Sequence, residues 1–332
     1  MSEPRTDLAD PETVRLSTPS GRLIAHVAPA LGGELCGLQL VRGGVAHELL
    51  YRGMNFGPTD DWIGRAPILW PATGRNYPAG SEPTASTFRA FPLGWTHRGI
   101  AYPMPVHGFA RNLPWRLDDS SESTVRLLLH SSLSTRAFYP FDFAISVQYE
   151  LTDLGISLCH SIKAHKSNDG PMPFSIGNHI TFRVPLLSES DPARTILTTS
   201  GRHILGVDAT GRLNGDVTPN RYFADGHALL ELEPRKVYAF TGYDDGPIAT
   251  LEDLSAGLSI RLTHRPDRWP EGVHNPFVFW GDPAAGFVSL EPWVGTFNSL
   301  ATGLGIIKLS PGEAFRWQLD IDVADRGEQE IR

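Results

Sequence analysis

Sulfur is nearly absent from this chain. It has two cysteines, Cys36 and Cys159, in 332 residues and no CxxC pair. That excludes a disulfide framework and a thiol-built zinc or redox centre. Both cysteines sit among apolar neighbours, so the sequence predicts buried, inert thiols. Lysine is also scarce: Lys163, Lys166, Lys236 and Lys308 are the four lysines among 29 basic residues, and the formal net charge is −8. A general polyanion-binding surface is therefore excluded, and no nucleic-acid partner is expected. No run approaches the ~18 apolar residues of a spanning helix. The first 19 residues are polar and acidic without an apolar signal core, so a cytoplasmic protein with no membrane partner is expected. The sequence also lacks GxGxxG after a strand, GxxxxGK[ST], HExxH and GxSxG. Its 12 histidines never fall at metal-ligand spacing with a carboxylate, so neither a protein-built metal site nor a cofactor is expected.

What the chain has is turns and alternation. It carries 33 Gly and 27 Pro, more than an average domain uses, and no long 3.6-residue period. Phe315, Trp317, Leu319, Ile321 and Val323 interleave with Arg316, Gln318, Asp320 and Asp322, the signature of a half-buried strand. Phe143 to Leu151 and Ile156 to Lys163 repeat it around the turn Asp153-Leu154-Gly155. Further strands are predicted at 124–133, 179–185, 228–233, 236–241, 247–252, 257–263, 276–280, 286–291 and 304–309. Roughly twenty short strands between turn clusters predict an all-β fold, one large antiparallel β-sandwich over residues 1–332. Residues 1–19 read as a flexible or peripheral segment. Ala72 to Pro105 lacks alternation but carries Tyr77, Phe88, Phe91, Trp95 and Tyr102, which predicts an ordered, functional loop.

With no cofactor device, the polar groups set in apolar strings become the candidates. His107 stands in Pro105-Val106-His107-Gly108-Phe109-Ala110-Arg111-Asn112, where the following glycine lets the backbone turn and the imidazole project. A packed histidine bonded to a carbonyl fits the same string. His179 lies in the apolar stretch Phe174 to Phe182, near Gly177, which permits close approach of a ligand or of another backbone; a core histidine is the other reading. Glu291 ends the apolar run Phe287 to Leu290 and precedes Pro292-Trp293. A carboxylate at the buried end of a strand is desolvated, which raises its pKa; a structural salt bridge is the alternative. Trp293 offers a flat face of the kind that stacks on a sugar ring.

The strings around His107, His179 and Glu291, in that order, together with Pro67-Ile68-Leu69-Trp70-Pro71-Ala72-Thr73-Gly74-Arg75, resemble the aldose 1-epimerase (galactose mutarotase) family, in particular its LacX-like and generic branches. The resemblance spans about residues 20–325. It implies a galactose mutarotase-like supersandwich and an isomerase that interconverts sugar anomers by acid/base catalysis. On the matching positions it makes Glu291 the general base, His179 the general acid and His107 a group that polarises the ring oxygen. Arg75 and Asp225 become sugar contacts. The partner so implied is a small-molecule sugar, with the protein a monomer or homodimer.

The string from His107 to Trp115 also resembles the hexose-6-phosphate 1-epimerase branch, with Arg111 at the phosphate-holding position. Arg65, Arg75 and Arg111 are candidates for such a site, since phosphate calls for converging arginines. Arg89, His97 and Arg98 add positive groups to the Ala72–Pro105 loop and leave open an isomerase of anionic sugars. A sugar-binding protein without turnover is the reading from outside enzymology.

Overall fold

Period-two alternation builds two large antiparallel sheets in the computed structural model, which describes residues 12–52 and 64–326. One sheet has nine strands, in the order His227–Ala228, Thr195–Thr199, Ile248–Asp253, Leu258–Pro266, Ala314–Asp325, Gly155–Ala164, Phe143–Thr152, Thr124–His130, Arg116–Ser120. The other has eight. Its path runs Leu213–Pro219, His203–Val207, Tyr238–Thr241, Phe277–Asp282, Phe287–Val294, Ile176–Asn178, Ile68–Leu69, and Ile180–Arg183 pairs beside it with Phe287–Val294. A four-stranded sheet from Val14–Ser17 to Val45–Glu48 completes the main β structure. The fold is thus the all-β antiparallel class that the alternation predicts. Among the described residues no helix is long and apolar enough to cross a membrane.

The core lies between the large sheets. Phe315, Trp317, Leu319 and Ile321 from one and Phe277, Phe279, Val288 and Leu290 from the other belong to one buried cluster. Each inward side chain removes apolar surface from water at about 25 cal/mol per Å². Their outward neighbours, such as Arg316 and Asp322, stay polar because alternate residues face opposite ways.

Four sequence expectations are corrected. Cys36 is buried, but Cys159 is exposed: Leu158, His160 and Ile162 hold the inner register of their strand, which turns Cys159 outward. Residues 1–11 lie outside the described residues, whereas Val14–Ser17 is no loose segment. It pairs in register with Leu23–Ala28, and Leu16 is buried. Of the predicted strand 228–233, only Ala228 is in a strand, the short His227–Ala228, and Leu229–Glu231 turns into a 3-10 helix. Finally, Glu291 does not end its strand, which runs on to Val294 and is buried throughout. The loop 72–105 is ordered, with a small hairpin of Gly94–His97 and Ile100–Pro103 and with Tyr77 and Trp95 buried.

Two core histidines tie stability to pH. His264 accepts the Trp317 indole N–H at 3.0 Å on Nδ1 and directs Nε2 to the Pro276 carbonyl at 2.8 Å. His160 lies opposite Trp317 in register and stacks on its ring at 4.6 Å. Among the described residues neither of its ring nitrogens has a hydrogen-bond partner. Burial pushes both imidazoles down to about 3. The unfolded chain takes up protons at these positions below its ordinary pKa of about 6.5 and the native state does not, so stability falls as pH drops from about 7 toward 3. Each contributes about 2 kcal/mol of loss at pH 5. Replacing His160 by leucine removes one share. In urea titrations, His160→Leu should gain about 1–2 kcal/mol on wild type between about pH 8 and 5.5; an unchanged pH slope would show that His160 titrates normally.

Candidate active site

The site forms where the eight-stranded sheet is interrupted. Phe287–Val294 pairs along one side with Phe277–Asp282. Along the other side it pairs first with Ile180–Arg183, at Leu290 and before, and then with Ile176–Asn178, at Trp293 and Val294. His179 is the residue between those two partners. Trp293 donates its amide to the Pro276 carbonyl at 2.9 Å, so alternation turns the Pro292 nitrogen toward the interruption. Proline has no N–H to leave unpaired there. The freed His179 amide goes instead to the Pro67 carbonyl at 3.0 Å. Opposite Trp293, Gly177 has no side chain, and a Cβ there would lie 2.6 Å from the indole Cδ1. Glu291 and Trp293, two residues apart, share the face that looks away from the core.

On that face the Glu291 carboxyl meets the His179 imidazole, Oε1 to Nε2, at 3.2 Å. The Trp293 indole donates to the other carboxyl oxygen at 3.2 Å. Both groups of the pair are buried, and desolvation drives each toward its neutral form. Glu291 is held well above the usual carboxylate range, opposed by the indole hydrogen bond. His179 is brought down to about 3 by the same burial. Burial thus favours a neutral carboxylic acid–imidazole pair at this contact.

His107 completes the group, its ring 5.6 Å from that of His179 and 6.0 Å from Trp293. Its backbone is left-handed, φ 65°, a conformation few non-glycine residues adopt. Gly74 holds it there from both sides. The His107 amide donates to the Gly74 carbonyl at 2.9 Å, and the Gly74 amide donates to Nδ1 of the ring at 3.1 Å. A ring whose Nδ1 accepts carries its proton on Nε2, so His107 presents an N–H donor to the site. Burial first, then the neighbouring His179, Arg111 and Arg75, keeps it neutral, well below the usual imidazole value.

These groups line a cleft of about 290 Å³ with Arg75, Arg111, Gly211, Val278, Trp280 and Phe297. The structure thus brings together His107, His179, Glu291, Trp293, Arg75 and Arg111. Asp225 is not among them: it is exposed on the segment before His227–Ala228, a strand that pairs with Thr195–Thr199 at an edge of the other large sheet. Arg65 is also spent elsewhere, in a buried ion pair with Glu34. In the long loop, Arg98 pairs with Asp169 on the surface and the ring of His97 packs against Trp95 and Phe141. Arg89 lies over Phe88. None of the three lines the cleft. The loop contributes instead by holding Arg75, whose guanidinium sits 5.2 Å from the Phe88 ring centre.

Trp293 is 1% exposed, its ring against Phe297 at 4.8 Å, and it serves as a carboxyl anchor more than as a stacking face. Trp280, which the sequence reading missed, is the half-buried tryptophan of the cleft. It stands in register opposite Ser289. Its place in the alternation Val278, Trp280 carried the signal, but only strand pairing shows which face those residues share with Glu291.

Sequence spacing gave no hint of a metal site, yet donor atoms of His107, His179 and Glu291 lie within 4.8 Å of one another. Two imidazoles and a carboxylate can ligate a divalent transition metal. The surroundings of His107 do not suit one. A metal-bound imidazole normally donates its remote N–H to an acceptor, whereas the remote nitrogen here faces the Gly74 N–H donor. Binding through Nε2 would set two donors against each other.

Comparison with known proteins comes to the same family as the motifs. A family model described as aldose 1-epimerase matches residues 60–275, a stretch that holds Arg75, His107, Arg111 and His179 and stops before Glu291. Protein LacX of Lactococcus lactis subsp. lactis is 25% identical over 247 residues, which is 73% of this chain and 77% of LacX. A galactose mutarotase-like protein from Lactobacillus casei superposes with a TM-score of 0.74 at 24% identity, covering 94% of this chain and 100% of that one. Slr1438 from Synechocystis sp. PCC 6803 superposes equally well, TM-score 0.74, at 21% identity over 98% of this chain and 100% of its own.

The ring nitrogens offer a direct check. In 15N-detected NMR, His107 should show a fixed Nε2–H tautomer, and His107 and His179 should stay neutral at about pH 6, below the ordinary value of about 6.5. Added Zn²⁺ should leave the His107 ring signals in place; a shift of both nitrogens on zinc addition would mean that the Gly74 contact does not hold.

Proposed function

The chain belongs to the aldose 1-epimerase family, and from that premise we propose that it interconverts the α and β anomers of an aldose, with Glu291 and His179 as the proton-transferring pair. The observation that carries the reading is their 3.2 Å contact at the cleft. Anomer exchange takes a proton from the C1 hydroxyl and delivers one to the ring oxygen. Those two oxygens are bonded to the same carbon, so a base and an acid in mutual contact are spaced to serve both.

The proton count balances. A neutral acid–imidazole pair and a carboxylate–imidazolium pair hold the same protons and differ only by transfer across the contact. Sugar hydroxyls entering the cleft solvate the ionic form. Glu291 then removes the C1 hydroxyl proton as His179 protonates the ring oxygen, the C1–O bond to the ring breaks and an open aldehyde forms. Rotation about C1–C2 exposes the other face, and the reverse transfers close the ring. His107, as an Nε2–H donor, steadies the ring oxygen without giving up its proton, and Trp280 offers the apolar face for the ring. Each proton-transferring group contributes about 10²–10⁴-fold.

A second reading concerns the substrate. Arg75 and Arg111 both line the cleft. Two arginines lining one cleft favour an anionic sugar such as a hexose 6-phosphate.

Saturation transfer between α and β signals, run on free aldoses and on hexose 6-phosphates, tests both readings. Wild type should speed exchange, and Glu291→Gln should lose at least about 10²-fold; a variant that keeps most of the rate removes Glu291 as the base. With an anionic substrate, Arg111→Ala should cost about 10–100-fold in kcat/KM on the phosphate, as expected for a charge-assisted hydrogen bond, and only a few-fold on the free sugar. Sugar binding without any faster exchange would leave a binding protein.

A further inference from the structure

Behind the cleft lies a buried cluster of hydroxyls and carboxamides that no proton-transfer step uses. At its centre is Ser175, which is fully buried. Its Oγ accepts the Thr73 amide at 2.9 Å and lies 3.2 Å from the Thr73 hydroxyl and 3.0 Å from that of Ser299. The Ser175 amide in turn donates to the Pro71 carbonyl at 2.9 Å. Thr73 also sends its hydroxyl to the Thr296 carbonyl at 3.0 Å. Farther along, Asn298 accepts the Tyr77 amide and Asn76 accepts the Leu300 amide, each at 3.0 Å. The segment from Thr73 to Tyr77 is thus fastened at three points to groups far away in sequence. Crowding keeps the clasp tight: a Cβ on Gly295 would lie 2.5 Å from the Ser175 Cβ.

The next peptide along from Thr73 is the one whose N–H belongs to Gly74, and that N–H fixes the His107 ring. We propose that Ser175 is a positioning residue for His107, acting through the Thr73–Gly74 peptide: by holding the Thr73 amide it aims the Gly74 N–H at Nδ1 and so keeps the His107 proton on Nε2, facing the cleft. Strain makes the hold necessary, because a left-handed non-glycine residue persists only where its surroundings over-determine it. Without the Ser175 hydroxyl the Thr73 amide loses its acceptor inside the protein, and the loop must shift to find another.

The kinetic side of this inference rests on the epimerase reading; the tautomer side does not. Ser175→Ala is compared with Ser175→Cys, which keeps a weaker acceptor of similar shape, by 15N NMR of the His107 ring and by anomer exchange. For Ser175→Ala the ring should change from a fixed Nε2–H form to a tautomer mixture and should titrate nearer its ordinary value. The exchange rate at saturating sugar should fall about tenfold or more, in line with the cost of misplacing a reacting group, with KM within a few-fold of wild type and Ser175→Cys lying between. If Ser175→Ala fails to fold, Ser175→Cys is read in the same two ways. Ring signals unchanged in a folded variant overturn the proposal. A changed tautomer in a protein that speeds no anomer exchange supports the positioning role and removes the epimerase reading, so the two failures are separable.

Discussion

A carboxyl and an imidazole in contact, both taken out of water, are what the rest of this structure is arranged around. Either charged form alone would be costly to bury, and burial favours the neutral pair. That state leaves both groups uncharged and in contact. It also demands that the two side chains be aimed within a few tenths of an ångström, which exposed loops could not do. The fold supplies the aim by placing Glu291 inside a strand with partners on both sides and His179 at the one point where a partner changes.

The interruption at His179 has a specific chemical basis. An antiparallel ladder cannot stop beside a central strand without orphaning an N–H, and Pro292 is the residue with none to orphan. Gly177 lets the indole of Trp293 close over the strand, and that indole then holds the Glu291 carboxyl. Three residues thereby set the geometry of the Glu291–His179 pair. The Thr73–Ser175–Ser299 clasp does the same for the third group, His107, through the Gly74 N–H.

The strand class was legible from the chain because alternation of apolar and polar residues is a local property. The partners of Glu291 were not, since periodicity cannot say which strand lies next to which. Reading Glu291 as a strand end followed the usual rule that proline stops a ladder; the rule failed because the ladder was already broken on the side to which Pro292 turns. Cys159 was misread by its apolar neighbours when its own alternation pointed outward. Asp225 was placed in the site by order along the chain, and the pairing of His227–Ala228 with the other large sheet carried it away.

By itself the sequence determined the all-β class and singled out His107, His179, Glu291, Arg75 and Arg111 as residues worth testing. It could do so because composition, alternation and ordered motifs are written along the chain. Tertiary structure alone decided that the carboxyl touches an imidazole and that His107 presents Nε2–H. It also decided that Arg75 and Arg111 line one cleft while Arg65 is spent on Glu34, and that Trp280 lines the same cleft. Each of these depends on contacts between residues far apart in sequence, and such contacts exist only once the strands have chosen their neighbours.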